Sequence, residues 1–159
     1  MNKKFDIECF LENLETFLKD KLNDKIAAID LEKSSTFTTE PIAPNAYVFQ
    51  SLDNLPVNYD PILFYGISKV EGESIETANG ETYYIEISVI KVDDESKNIG
   101  KKLLRYNRAL KEIFQENAFK INNVRPKIKV SSLQPISFQM QNSSNQFKAI
   151  GIEIEFSIF

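Results

Sequence analysis

Histidine is absent from this chain of 159 residues, and cysteine occurs once, at Cys9. The first absence removes Ser-His-Asp and Cys-His catalysis and nearly every zinc site together, because imidazole is the base or the ligand in each. The second excludes an intrachain disulfide and fits a reducing cytosol. With no histidine to activate it and no lysine placed to do so, Cys9 reads as a small filler beside an apolar stripe. No apolar run approaches the roughly 18 residues that span a bilayer, so no membrane contact is expected. The start, MNKKFDIECFLENL, carries two lysines but continues amphipathic and acidic, unlike a signal peptide. GxGxxG, GxxxxGK and GxSxG are all missing. Strong positive charge is missing too. The net charge is −4 and the pI about 5.0, against a free-standing nucleic-acid binder, whose domain is ordinarily basic.

What is present is enough to build a core. Hydrophobic residues make up 42% and charged residues 26%. A chain of this length buries about two thirds of the surface its unfolded form exposes, and residues 1–159 read as one domain. Ile7, Phe10, Leu11, Leu14, Phe17, Leu18 and Leu22 recur at three and four residues, which predicts a helix over Asp6–Ile29 with Asp6 as its cap. Two prolines make SSTFTTEPIAPN an extended connection. AYVFQ is a short strand and SLDNLPVNYDP a loop. From Pro61 to Asp94 a long hairpin is expected. Ile85, Ile87 and Val89 share one face of its second arm, and Tyr84, Glu86, Ser88 and Ile90 the other. A second helix spans Ser96–Asn117 with Ile99, Leu103, Tyr106, Leu110, Ile113 and Phe114 as its stripe, capped by DDES. Two strands close the chain, RPKIKVS and AIGIEIEFSIF. Ile150, Ile152, Ile154, Phe156 and Ile158 alternate with Gly151, Glu153, Glu155 and Ser157 in the clearest period-two pattern present. Lys127 and Lys129 are expected to face Glu153 and Glu155. The fold class is α+β, with two helices on one face of a largely antiparallel sheet that carries the long hairpin.

No catalytic, cofactor or metal site emerges, and an enzyme is not expected. Asp93, Asp94 and Glu95 diverge in direction and lack calcium-loop spacing. Glu153 and Glu155 lie about 7 Å apart along a strand, a glycosidase separation but also the ordinary spacing of alternate polar positions. Two features remain for partner binding. Lys101, Arg105 and Arg108 fall at i, i+4 and i+7 on the second helix, either a basic patch for an acidic partner or a solvated face. They are expected to be exposed. The hairpin tip, with Glu73, Glu76, Asn79 and Glu81, is too polar to pack on its own core and is expected to be an arm for a neighbour.

The leading helix, the proline-rich connection, DPILFYGIS, the hairpin ending in YYIEISVIKVDD, the helix IGKKLLRYNRALKEIFQEN and two closing strands together resemble the tail terminator family of tailed bacteriophages, over nearly the whole chain. Head–tail connectors and other neck components of similar size are alternatives, as is a small cytosolic module docking an acidic partner through its basic helix. The resemblance implies a homohexameric ring on the last ring of tail tube protein. Such a ring ends tube polymerisation and presents a surface to the head–tail connector, possibly beside a sheath. It also implies location in the virion neck, assembly in the host bacterial cytoplasm, and DNA met only in passage through the channel.

Overall fold

The first element is a helix, α1, over Ile7–Lys33, in the computed structural model, which describes residues 7–34, 36–50, 56, 58–72, 81–94, 98–120, 127–139 and 144–158. Its expected stripe is buried and extends by Ile26 and Ile29. The helix runs four residues beyond the expected end, because Leu31, Glu32 and Lys33 are good helix formers and nothing breaks the run. It stops at Ser34, whose φ of 47° is left-handed and whose amide donates to the Asp30 carbonyl at 3.1 Å. The expected cap Asp6 lies outside the described residues.

The strands are β1 (Tyr47–Phe49), β2 (Ile62–Gly72), β3 (Glu81–Val92), β4 (Ile128–Ser132), β5 (Ile136–Gln139) and β6 (Gln146–Ile158). They form one sheet in the order β1-β2-β3-β6-β4, with β5 also on β6. β1 pairs β2 in parallel, and every other pairing is antiparallel. The hairpin of β2 and β3 is in register from Ile62↔Ile90 to Gly72↔Glu81, with Ser68 as a bulge residue. It is not a free two-stranded ribbon. β6 pairs β3 from Val92↔Phe147 out to Glu81↔Ile158, so the described hairpin belongs to the sheet along its whole length.

The closing strands differ from expectation in number. β5 was not legible because Pro135, which lacks an amide donor, interrupts its approach. β4 and β5 are one edge broken by a bulge. Ser132 faces Ile152 and Ile136 faces Ala149, so one extra residue stands on the outer edge. The Leu133 amide bridges the gap to the Gly151 carbonyl at 3.0 Å. Of the expected lysine–glutamate pairs, Lys129 does lie opposite Glu155, but Glu153 lies opposite Ser131 and, on its other side, Glu86.

α2 covers Ile99–Glu116, and Asn98 stands at its cap with no side-chain bond, so DDES does not cap it as expected. Asp93 instead ends the sheet, its amide donating to the Gln146 carbonyl at 2.7 Å. Glu95 and Ser96 lie outside the described residues. Both helices pack on the face formed by Ile85, Ile87, Val89, Ile150, Ile152, Ile154 and Phe156. Phe10 stacks on Phe156 at 4.0 Å and meets Phe119 edge-on at 5.4 Å. Phe114 is half-buried, against Phe17 at 5.1 Å. The opposite face carries a smaller cluster of Ile62, Ile90, Phe147 and Ala149, with Phe138 stacked on Phe147.

Candidate interaction surface

The basic stripe of α2 does not face solvent as expected. Arg105 is 7% exposed. Its guanidinium donates to Asp30 Oδ1 at 2.8 Å and lies 4.3 Å from the centre of the Phe37 ring. Asp30 also receives the Thr39 amide and hydroxyl, each at 2.6 Å. Burial raises the Asp30 pKa, but the Thr39 bonds and Arg105 outweigh it and hold the carboxyl below its ordinary value. Arg108 is half-buried and bridges Glu32 at 2.7 Å and Glu112 at 2.9 Å. Lys101 alone of the three is exposed. The sequence spacing identified one helix face but not the acids of α1 that stand opposite it.

Arg105 and Lys102 strap the connection between α1 and β1 onto α2. Lys102 reaches Glu40 at 2.6 Å, and the Tyr106 hydroxyl donates to the Glu40 carbonyl at 2.7 Å. Lys91, its side chain 5% exposed, lies 3.3 Å from Glu40 and 3.5 Å from Asp60. Asn23 clasps Ile42 with two bonds of 2.8 Å, amide to carbonyl in both directions. Burial raises the Glu40 pKa, and the bond from Lys102, the Glu40 backbone amide and the charge of Lys91 lower it further than burial raises it. One signal for this cluster was present in the sequence. Lys91 shares strand parity with Ile85, Ile87 and Val89, the face that packs under the helices.

The open ground lies at the two ends of the sheet. At the β1 end, β1 pairs only Leu63, Phe64 and Tyr65 of β2, and the ladder closes with the Gln50 amide donating to Tyr65 at 3.0 Å. Gln50, at φ 54°, ends the extended run. Among the described residues β2 therefore has no partner on that side from Ile67 to Gly72. Between this edge and the first turns of α1 runs a groove of about 450 Å³, walled by Ile7, Leu11, Phe49 and Ile67 and rimmed by Glu8 and Glu12. Phe49 is 46% exposed. Glu15, deeper in, is tied by Lys19 at 2.7 Å and the Tyr65 hydroxyl at 2.6 Å, and these bonds lower its pKa. Burial and the charge of Glu15 push the neighbouring Tyr47 hydroxyl up to about 12.

At the other end, β4 and β5 pair β6 alone among the described residues. From Lys127 to Gln139 the sequence KIKVSSLQPISFQ holds two lysines and no acid. Ile136 is 53% exposed. Lys127, Lys129, Glu8 and Glu12 take part in no ion pair among the described residues.

Of the expected hairpin-tip residues, Glu73, Glu76 and Asn79 lie outside the described residues. Glu81 is exposed and accepts the Tyr83 hydroxyl, a bond that, with burial, pushes Tyr83 up to about 12. Cys9 is half-buried and its carbonyl accepts the Asn13 amide at 2.7 Å. Among the described residues no group of three or more Cys, Asp or Glu is arranged to hold a metal ion, and no helix is long and apolar enough to cross a membrane.

No family model matches the chain, and no curated protein matches it. Among solved structures it is similar to a chain from the virion of a native gene transfer agent particle, at 14% identity over 72% of this chain and 80% of that one, with a TM-score of 0.41. It is similar also to a second solved chain that carries no descriptive name, at 10% identity over 94% of this chain and 95% of that one, again with a TM-score of 0.41. Likeness of this degree assigns no activity.

Proposed function

We propose that the chain is a non-enzymatic structural subunit of a phage or phage-like tail, of the terminator type. Six copies form a ring at the head-proximal end of the tail tube, stop its polymerisation and meet the head–tail connector. The observation that carries this reading is the uncovered end of the sheet. Val70 lies across from Tyr83, which lies across from Phe156, so all three share the helix-bearing face. Tyr83 and Phe156 are buried, yet Val70 is 48% exposed. The helical layer therefore stops short of the end of β2. The sheet runs on as a three-stranded arm of β2, β3 and β6 with an apolar residue half-exposed. Its outer β2 edge is unpaired from Ile67 to Gly72 among the described residues, a row of backbone donors and acceptors suited to a second chain. The resemblance in element order described above points the same way. The engagement of Arg105 and Arg108 by Asp30, Glu32 and Glu112 removes the main support for a module docking an acidic partner through α2.

Native mass spectrometry and negative-stain microscopy of the purified chain test the ring. A closed particle of six copies is the expected result. A monomer at concentrations of tens of micromolar, both alone and with tail tube protein, overturns the reading.

A further inference from the structure

We propose that the two ends of the sheet are the two halves of one contact between copies of this chain: the groove between α1 and β2 of one copy receives the β4–β5 edge of the next. This deepens the ring reading. It rests on that reading for closure into six, but not for the contact itself.

The argument starts from charge. Glu8 and Glu12 rim the groove, and the α1 sequence holds no basic residue from Ile7 to Phe17. Lys127 and Lys129 stand on the far edge in a stretch without an acid. All four charges are exposed and in no ion pair among the described residues, unlike Arg105 and Arg108 of α2, which are engaged by acids inside the subunit. Apolar surface matches the same way. The groove offers Ile7, Leu11, Phe49 and Ile67, and the far edge offers Ile136, 53% exposed on the face away from the helices, while Ile128 and Val130 pack half-buried against the core.

Position completes it. The two surfaces sit at opposite ends of one strand order, β1-β2 at one end and β4-β5 at the other. Surfaces that are complementary to each other, rather than each to itself, make head-to-tail contacts. Such contacts close into a ring or run on as a filament, where a self-complementary patch would stop at a dimer. The bulges at Ser68 and at Leu133–Pro135 disfavour indiscriminate backbone pairing along either edge. That leaves charge and apolar fit to choose the partner.

The test is a charge swap read by light scattering and native mass. One variant carries Glu8→Lys and Glu12→Lys, the other Lys127→Glu and Lys129→Glu, and a parent-like circular dichroism spectrum with a cooperative melt shows that each is folded, whatever the shift in Tm that lost assembly brings. Each variant alone should assemble at least about tenfold more weakly than the parent, since like charges then face each other. An equimolar mixture should reassemble with the two variants alternating, because the lysine groove of the first then meets the glutamate edge of the second, and the native glutamate groove of the second meets the native lysine edge of the first. A hexamer indifferent to both variants overturns the contact and leaves the ring reading standing. Reassembly by mixing into open filaments supports the contact and overturns the ring. Loss of assembly without recovery on mixing overturns the contact, as does a parent chain that is monomeric.

Discussion

Arg105→Ala separates a cation that belongs to the fold from one reserved for a partner. The guanidinium sits 2.8 Å from Asp30 with the two side chains 9% and 15% exposed, and it covers the Phe37 ring. Removing one member of a buried pair costs about 3–5 kcal/mol, because the other charge stays behind without its counterion. Here the loss is cushioned. Asp30 keeps both bonds from Thr39, so the lower part of that range applies, and the lost contact with Phe37 adds up to about 1 kcal/mol. A net loss of about 3 kcal/mol should lower Tm by about 6–12 °C in a domain of this size. It is also a large share of the roughly 5–15 kcal/mol that holds such domains folded. Urea unfolding followed by circular dichroism measures it, and a cycle with Asp30→Asn isolates the pair. Arg105→Glu should cost more, since it places a second carboxylate beside the first. An Arg105→Ala change below about 0.5 kcal/mol, the range of ordinary exposed substitutions, refutes the placement of this side chain.

Gly151 lies opposite Ser88, and a Cβ there would stand 2.2 Å from the Ile87 carbonyl oxygen and 2.7 Å from the Ser88 Cα, so Gly151→Ala should cost about 3 kcal/mol in chemical unfolding. Its control is Gly100→Ala, where nothing lies within 4 Å, and helix propensity predicts a gain of up to about 1 kcal/mol. The depressed carboxyls of Glu15, Asp30, Glu40 and Glu112 contribute stability above their unfolded pKa of about 4 and lose it as pH falls through their lower folded values. With no histidine in the chain, Tm should be flat from about pH 5 to 8 and fall steadily below about 4. A transition near pH 6 would contradict this.

The elements legible in the sequence were those whose two sides meet different solvents. β6 announces itself because Ile150, Ile152, Ile154 and Phe156 enter a dry layer while Glu153, Glu155 and Ser157 do not. The stripes of α1 and α2 are readable for the same reason. β5 was hidden because Pro135 and the bulge break the alternation just ahead of it, and its side chains are mostly exposed on both faces. The hairpin was read as a projecting ribbon because strand periodicity reports faces, never lateral neighbours, and β6 lies 75 residues away in the pairing of Thr82 with Ser157. Arg105 was misread on the same ground. Its spacing with Lys101 and Arg108 is real, but Asp30, its partner, is 75 positions distant. The surfaces at the two ends of the sheet gave only a compositional trace, acids without bases in one segment and lysines without acids in the other.

The central position of β6 also sets an order of events during synthesis. β2 and β3 are contiguous and can pair as soon as both have left the ribosome, as can α1 with its own turns. The partner of β3 on its other edge is more than fifty residues downstream by the register of Val92 with Phe147. Until that segment emerges, β3 presents a bare row of amides and carbonyls flanked by Ile85, Ile87 and Val89. At synthesis rates of about 5–20 residues per second this interval lasts some seconds. A nascent chain stalled after Gln139 would hold every strand but the one that joins them, and would be the species most in need of a chaperone.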